Sequence, residues 1–164
     1  MPRLPKRITA LPVDDPARRR LPILLRRAWY GLNQAFRRRI AHTGVTPDQF
    51  TALRTLTECD PVGLPQSELT RLMASDPNTI ASLVERMKTA GFVDRQTHER
   101  DRRAYRIKIK PLGRRKYEEV REIAISLQTE ILSSLPLDRQ ENFLEELAQV
   151  ADASQATADN TPRK

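Results

Sequence analysis

One segment of the sequence carries hydrogen-bonding side chains at helical spacing. Stepping 100° per residue along the helix predicted after Asp76-Pro77, polar side chains fall opposite the apolar stripe or on its flank; they are Asn78, Ser82, Glu85 and Thr89, with Thr79 and Arg86 on the flank. Amides and hydroxyls near the start of a helix can hydrogen bond to base edges, and an arginine can pair with phosphate or guanine. This face is a candidate for reading a DNA major groove. The alternative is the solvated face that any amphipathic helix carries.

A second candidate is the charged segment of residues 97–103, which lies between two predicted strands. Three arginines, Arg100, Arg102 and Arg103, surround Asp101 there. An arginine at a hairpin tip fits the narrow, electronegative minor groove of DNA. We expect the Asp101 carboxylate to pair with a neighbouring arginine and to orient the wing. A solvated charge run is the alternative, although it does not explain why the run follows a capped helix pair.

These two candidates need a helix pair followed by a β-hairpin to position them. Capping signals and apolar periodicity predict helices over residues 22–44, 46–60, 66–73, 76–91, 111–136 and 138–151. In the third helix Leu69, Leu72 and Met73 are predicted to face inward. Alternating residues predict short strands at 92–96 and 105–109. The fold class is therefore mainly α with a small β-hairpin wing, in the order of a winged helix-turn-helix.

Charge is segregated along the 164 residues, whose formal net charge is +8. Residues 1–44 and 94–116 carry net charges of +9 and +7, whereas residues 45–93 and 117–164 carry −2 and −6. Two basic blocks indicate phosphate-facing surfaces, and the acidic C-terminal third, which nucleic acid would repel, suits another role. We expect a flexible basic arm at residues 1–20 and a disordered polar tail at residues 153–164.

The composition excludes several classes of protein. The single cysteine, Cys59, rules out an intrachain disulfide and is expected to be inert rather than a redox sensor, while His42 and His98 lack a third ligand at metal spacing. No apolar run approaches the ~20 residues that span a bilayer, and no signal-peptide pattern opens the sequence. We expect a cytoplasmic protein with no membrane partner. Without a nucleophile–base pair or a phosphate-binding loop, no catalytic residue, enzyme activity, metal or cofactor is expected.

The stretch from about Leu21 to Val150 resembles the MarR family of bacterial transcription regulators. The resemblance rests on the order and spacing of short motifs, namely Gln66-Ser67-Glu68-Leu69, Asp76-Pro77-Asn78-Thr79, Leu83-Val84-Glu85-Arg86-Met87, Ala90-Gly91-Phe92-Val93 and Asp101-Arg102-Arg103-Ala104. The sequence departs from the family pattern at two positions. Where members usually show Leu-Thr before the glycine of the fifth helix, this chain has Ile109-Lys110-Pro111-Leu112-Gly113, and Pro65 stands where a Ser or Thr cap is common.

The resemblance implies a homodimer in which the first and the last two helices interlock. It assigns residues 21–45 to an N-terminal dimerisation helix, 46–110 to the winged helix-turn-helix DNA-binding region, and 111–152 to C-terminal dimerisation helices. The broad apolar stripes of residues 21–40 and 117–135 independently favour a partner surface, with packing onto the chain's own core as the alternative. A two-fold dimer on double-stranded DNA predicts a pseudo-palindromic operator with half-sites about one helical turn apart.

MarR-like proteins typically bind a small, often aromatic anion between the dimer helices and the winged lobe, which implies release from DNA by such an effector. Candidate residues for the ring and carboxylate are Trp29, Tyr30, Phe36, His42 and Phe50, although each large ring can instead belong to the core. Arg37, Arg38 and Arg39 are denser than a carboxylate requires. They are candidates for the phosphates of a coenzyme A thioester, or for a solvated face or extra DNA contacts.

The sequence therefore predicts a ligand-responsive, sequence-specific, homodimeric DNA-binding regulator, with repression as the expected mode and aromatic compound catabolism as the expected context. An architectural DNA-binding protein, with phosphate-driven affinity and little sequence preference, is the alternative. An adaptor that has lost DNA binding is a third possibility, and the wing arginines speak against it.

Overall fold

The computed structural model describes residue 15, residues 18–98 and residues 101–161, without the side chains of 97, 98 and 101–104. Its elements are, in chain order, α1 (Leu21–Ile40) with a 3-10 turn (Ala41–Thr43), α2 (Pro47–Glu58), β1 (Leu64–Pro65), α3 (Gln66–Leu72), α4 (Pro77–Thr89), β2 (Val93–His98), β3 (Asp101–Ile109), α5 (Pro111–Leu132) and α6 (Leu137–Asn160). This is the predicted helical fold with a small antiparallel sheet. Most of the predicted basic arm and residues 162–164 lie outside the described residues.

The winged lobe, defined here as residues 46–109, begins with a helix whose start is fixed by local chemistry. Thr46 accepts a hydrogen bond from the Gln49 backbone, and the Gln49 side chain accepts one from the Thr46 backbone, so both orphan donors are satisfied. Gly44 precedes them at φ 73°, in the left-handed region that glycine adopts without steric cost. The capping box and the glycine stop predicted from the sequence are confirmed.

The sheet has the order β1-β3-β2, with both pairings antiparallel. β1 was not predicted, because it has only two residues and one is a proline; Leu64 lies opposite Ile107. The hairpin strands are longer than predicted, since cross-strand pairing continues from Val93–Ile109 out to His98–Asp101, with an irregularity at Thr97/His98. Of residues 97–103, which were predicted as the hairpin tip, residues 97, 98 and 101–103 therefore have strand backbone.

The turn between α3 and α4 corrects one sequence prediction. Leu69 is fully buried, but Leu72 is 44% exposed rather than inward-facing. The buried face of this short helix runs through Leu69 and Met73, which are four residues apart, and it leaves Leu72 at the edge. The chain then reverses at Ala74, which has a φ of 46°, a strained conformation for a residue with a Cβ.

The core of the lobe is complete within one chain. Leu53, Ala52, Leu69, Val84 and Met87 are all fully buried. Cys59 is half-buried and packs against this core. The first part of α5 closes it with Tyr117 and Val120, and at its start Gly113 lies so near the Phe92 carbonyl that any Cβ there would collide with that oxygen.

The outer helices, defined here as α1 and α6, differ from the lobe. The apolar stripe of α1 was expected to face a partner surface; within the described chain only Ile40 of this helix is buried, while Leu21, Leu24 and Leu32 are exposed. Every residue of α6 is described and none is buried; Phe143 and Leu147 keep 40% and 37% exposure. The reason is that no other element of the described chain covers these faces.

The C-terminal end of α6 also differs from its prediction. The helix continues to Asn160, although the disordered tail was expected to begin at residue 153. This segment contains Ala151, Ala153, Ala156 and Ala158, which favour helix, and Gln155 donates a hydrogen bond to Asp159 one turn later. Within the described residues, no helix combines the length and apolarity that a bilayer crossing requires.

Candidate nucleic-acid interface

Helix α4 is positioned by its first residues and by its buried side. The Asp76 carboxylate accepts hydrogen bonds from the backbone N–H groups of Asn78 and Thr79 and from the Thr79 hydroxyl, at 3.0, 2.9 and 2.5 Å. The Thr79 hydroxyl is the main reason that the pKa of Asp76 lies below its ordinary value. The apolar face of α4 is buried, and it contains Ile80, Leu83, Val84 and Met87. The predicted cap and apolar stripe are both confirmed.

This arrangement leaves the polar side of α4 facing solvent; its predicted DNA-reading residues Asn78, Ser82 and Arg86 are called the polar row here. Asn78, Ser82 and Arg86 are exposed on it, and no described residue pairs with the Arg86 guanidinium. Thr79 is also exposed, but its hydroxyl proton is already donated to Asp76. Thr79 can therefore only accept a further hydrogen bond, whereas Asn78 and Ser82 can donate and accept.

The side chain of Glu85 is held by a residue that the sequence interpretation missed. Arg95 on β2 pairs with the Glu85 carboxylate through Nη1 at 2.7 Å, and its Nη2 donates to Gln66 Oε1 at 3.1 Å. A basic residue in a strand gives no local signal of such a contact, because its partners lie 10 and 29 residues away. A neighbouring pair on α3 is local: Arg71 donates two hydrogen bonds to Glu68 and lowers the pKa of that carboxyl.

The wing is described only in part. Arg100 lies outside the described residues, and of Asp101, Arg102 and Arg103 the structure gives the backbone, which belongs to β3. The described base of the wing is tied to the lobe, since Arg106 Nη1 donates to the Gly63 carbonyl at 3.0 Å. Tyr105 is 57% exposed on β3, and His98, like the arginines, has no described side chain.

Two of the residues proposed to bind an effector, Phe36 and Phe50, pack together with Tyr117. Phe36 meets Phe50 edge to face at 5.2 Å, and Phe50 stacks on Tyr117 at 5.7 Å, so these rings fill the junction of α1, α2 and α5 themselves. Arg54, which the sequence interpretation also missed, lies 5.4 Å over the Phe50 ring.

The other candidates lie along α1 and just after it, on the surface. Trp29 and Tyr30 are 64% and 61% exposed, and His42 is exposed as well. Arg37 and Arg38 also face solvent, whereas Arg39 donates to Glu130 of α5 at 2.6 Å. These side chains lie on or just after the helix that carries the exposed apolar face of α1. A second surface that packs on that face would therefore also contact a ligand bound there.

Comparison with known proteins agrees with the family resemblance of the sequence. A sequence profile of the MarR family matches residues 45–105. A probable transcriptional regulator from Pseudomonas aeruginosa is 32% identical over 79% of this chain and 95% of its own, with a TM-score of 0.71. No curated protein shows a significant match.

Two further solved structures share the fold at lower identity. MepR from S. aureus, solved in complex with DNA, is 17% identical, covers 83% of this chain and 99% of its own, and has a TM-score of 0.76. CouR from Rhodococcus jostii, solved bound to p-coumaroyl-CoA, is 22% identical, covers 87% of this chain and 94% of its own, and has a TM-score of 0.68.

Proposed function

Because this chain belongs to the MarR family, we propose that it is a homodimeric transcription repressor that binds a pseudo-palindromic operator and leaves it when an aromatic acid or its coenzyme A thioester binds. The observation that carries the proposal is the exposed polar row of α4, which stands opposite a fully buried face and directly before a wing. A helix held in this way presents its first turns as a rigid reading surface.

In this proposal the residues of α4 and the wing divide the recognition of DNA. Asn78 and Ser82 hydrogen bond to base edges in the major groove, Thr79 accepts from a base or contacts the backbone, and Arg86 pairs with phosphate or guanine. The wing arginines, Arg100, Arg102 and Arg103, enter the adjacent minor groove with Asp101 orienting them. MepR, which shares the fold, was solved in complex with DNA, and this supports the general mode.

The dimer is supported by the exposed apolar surface of the outer helices. Leu21, Leu24 and Leu32 keep between 43% and 52% of their surface exposed, and Leu137 keeps 85%. A stable helix hides such a face against another surface. Charge favours a second copy as that surface, since α1 contains Arg26, Arg27 and Arg37 with no acidic residue, whereas the sequence of α6 is acidic.

The effector proposal is carried by α1. Trp29 and Tyr30 offer exposed rings, and about two turns further along the same helix the exposed Arg37 and Arg38 can meet a carboxylate or the phosphates of a thioester. In this proposal His42 and Arg39 add further basic groups, and Phe36 and Phe50, which pack edge to face, add apolar contacts. CouR was solved with p-coumaroyl-CoA, which supports a thioester as one ligand class.

Calorimetry can test the effector. We expect heat on titration with an aromatic acid or its thioester, and loss of the thioester heat in an Arg37→Ala/Arg38→Ala variant, because two phosphate partners are removed. Arg121→Ala, which breaks an ion pair between neighbours on α5, is the matched control. Equal heats from all three proteins would contradict the proposal.

The DNA-binding function is tested by capture of genomic fragments and footprinting at near-physiological salt. We expect a discrete protected site with two-fold symmetry, and a changed sequence preference in Asn78→Ala and Ser82→Ala. Thr51→Ala, an exposed hydroxyl on α2, is the matched control and should preserve the wild-type site. Diffuse capture that disappears with modest added salt would instead indicate an architectural protein that binds phosphates without reading sequence.

A further inference from the structure

The guanidinium of Arg95 joins three elements of the candidate interface. The side chain starts on β2, pairs with Glu85 of α4 at 2.7 Å, and donates to Gln66, the first residue of α3, at 3.1 Å. The wing and both helices of the helix-turn-helix therefore meet at one planar group. Arginine is suited to this, because its fixed fork of N–H donors can hold two acceptors at once, whereas a lysine ammonium is a single point charge.

The strand register explains why Arg95 reaches this position. Side chains alternate along a strand, so Arg95 shares a face with Val93, which is 1% exposed and lies in the core. Its cross-strand neighbour Ile107 is also buried. Arg95 therefore continues the inner face of the wing beyond the end of the core, where α3 and α4 provide its acceptors.

Glu85 gives this contact its importance for binding DNA. It lies on the same side of α4 as Asn78 and Ser82, opposite the buried stripe. A free carboxylate on that side would repel the phosphates of a bound duplex. Paired with Arg95, it is electrostatically neutralised and held in one place. The side chains of Arg95 and Glu85 are 30% and 53% exposed, so the pair itself adds little to folding stability.

We infer that Arg95 is a positioning residue for DNA recognition, which fixes the angle between the wing and α4 and neutralises Glu85. The inference rests on the proposed function and adds a residue that need not touch DNA. With the angle fixed, α4 can occupy the major groove while the wing reaches the neighbouring groove. Without this fixed angle, the contacts of α4 with the major groove and those of the wing with the neighbouring groove compete with each other. The protein then discriminates less between DNA sequences.

A direct phosphate contact by Arg95 gives opposite expectations, which makes the inference testable. If Arg95 simply bound phosphate, Glu85→Ala would release it and remove a negative charge, so every DNA would bind more tightly. Arg95→Lys would then keep most of the affinity, because a lysine also binds phosphate. If Arg95 positions the wing, both variants lose the bridge, and both bind the operator more weakly.

The experiment measures affinity of the full chain for two duplexes of equal length and composition, the fragment most enriched in genomic capture and a scrambled version. We expect Arg95→Lys and Glu85→Ala each to weaken operator binding by about tenfold or more, with little change on the scrambled duplex. Thermal melting should stay within a few degrees of wild type, since a half-exposed ion pair stabilises the fold weakly. Arg121→Lys, in a local pair on α5, is the matched control and should match wild type.

Each outcome decides between the two claims. If the wild-type protein distinguishes the duplexes and either variant retains the wild-type ratio of affinities, the positioning role of Arg95 is wrong and the proposed function stands. If the wild-type protein binds both duplexes equally, the proposed function fails, together with the inference that rests on it.

Discussion

The winged lobe and the outer helices are stabilised by different means. In the lobe, α2 and α4 begin with side-chain caps, and leucines such as Leu53 and Leu69 have no exposed surface. In the outer helices, the N-cap residues of α1 and α6 are Arg20 and Pro136, which form no side-chain cap hydrogen bond, and large apolar residues stay exposed. The lobe therefore has a closed core within one chain, whereas the outer helices keep apolar faces that no described element covers.

The largest effect is expected from breaking the core of the lobe. Leu53→Ala should lower the free energy of unfolding by about 2–5 kcal/mol, because it removes buried methyl groups and leaves a cavity. Leu72→Ala, in the same lobe but at 44% exposure, should stay within about 0.5 kcal/mol of wild type. Urea unfolding followed by circular dichroism measures both. Equal destabilisation by the two changes would contradict the described burial.

The second effect concerns self-association through α1. Leu24 and Leu72 have nearly equal exposure in one chain, 43% and 44%, but only Leu24 belongs to the proposed dimer surface. Leu24→Asp should raise the dimer dissociation constant by about a hundredfold or more, because it buries an unpaired carboxylate. Leu72→Asp should leave the constant unchanged. Sedimentation equilibrium distinguishes these results, and the same constant for both variants would exclude α1 from the interface.

A smaller effect is expected from the cap of α4. Hydrogen bonds, above all from the Thr79 hydroxyl, lower the pKa of Asp76 in the folded chain. Asp76 therefore contributes stability that is fully present above its unfolded pKa of about 3.9 and is lost as pH falls through the lower folded pKa. Asp76→Asn keeps a capping side chain but does not titrate, so its stability should fall less on acidification.

Thermal melts of both proteins across this acidic range measure the difference. Thr79→Val removes the main hydrogen bond to the carboxylate. The pKa of Asp76 in the folded chain should then lie closer to its unfolded value, so the acid-dependent loss of stability should be smaller and complete at a higher pH. Parallel pH profiles for all three proteins would show that the cap has no part in acid stability.

The smallest effect is expected at the ion pair between α1 and α5. The Arg39 and Glu130 side chains are 35% and 64% exposed, so water screens their attraction. Arg39→Ala, Glu130→Ala and the double variant should form a cycle whose interaction free energy is below about 1 kcal/mol. A coupling of several kcal/mol would mean that a further surface covers this pair and excludes water from it.

The fold was predicted well where the signals are local. The capping box of Thr46 and Gln49, the Asp76 cap and the buried stripe of α4 each depend on residues within one or two turns. Predictions failed where a neighbour in space decides the outcome. β1 forms because Leu64 pairs with Ile107, and Leu72, which was predicted to face inward, is 44% exposed because the buried face of α3 runs through Leu69 and Met73.

The candidate site divides in the same way. The polar row of α4 follows from helix geometry once the apolar face is known, so the sequence indicated Asn78, Ser82 and Arg86. The bridge from Arg95 to Glu85 and Gln66 could not be predicted, since it joins a strand to two helices that only folding brings together. The stacking of Phe50 on Tyr117 is equally non-local, since the two rings are 67 residues apart in the sequence.

The helices, their caps and the order of a winged helix-turn-helix could be predicted from the sequence, because they depend on residues that are near neighbours along the chain. The segregation of charge follows directly from the composition of each segment. Tertiary structure alone decided which apolar faces are buried, which carboxylate is neutralised and which aromatic rings occupy the junction of α1, α2 and α5. Burial and pairing depend on which atoms are close in space, and residues that are far apart in the sequence come close only when the chain folds.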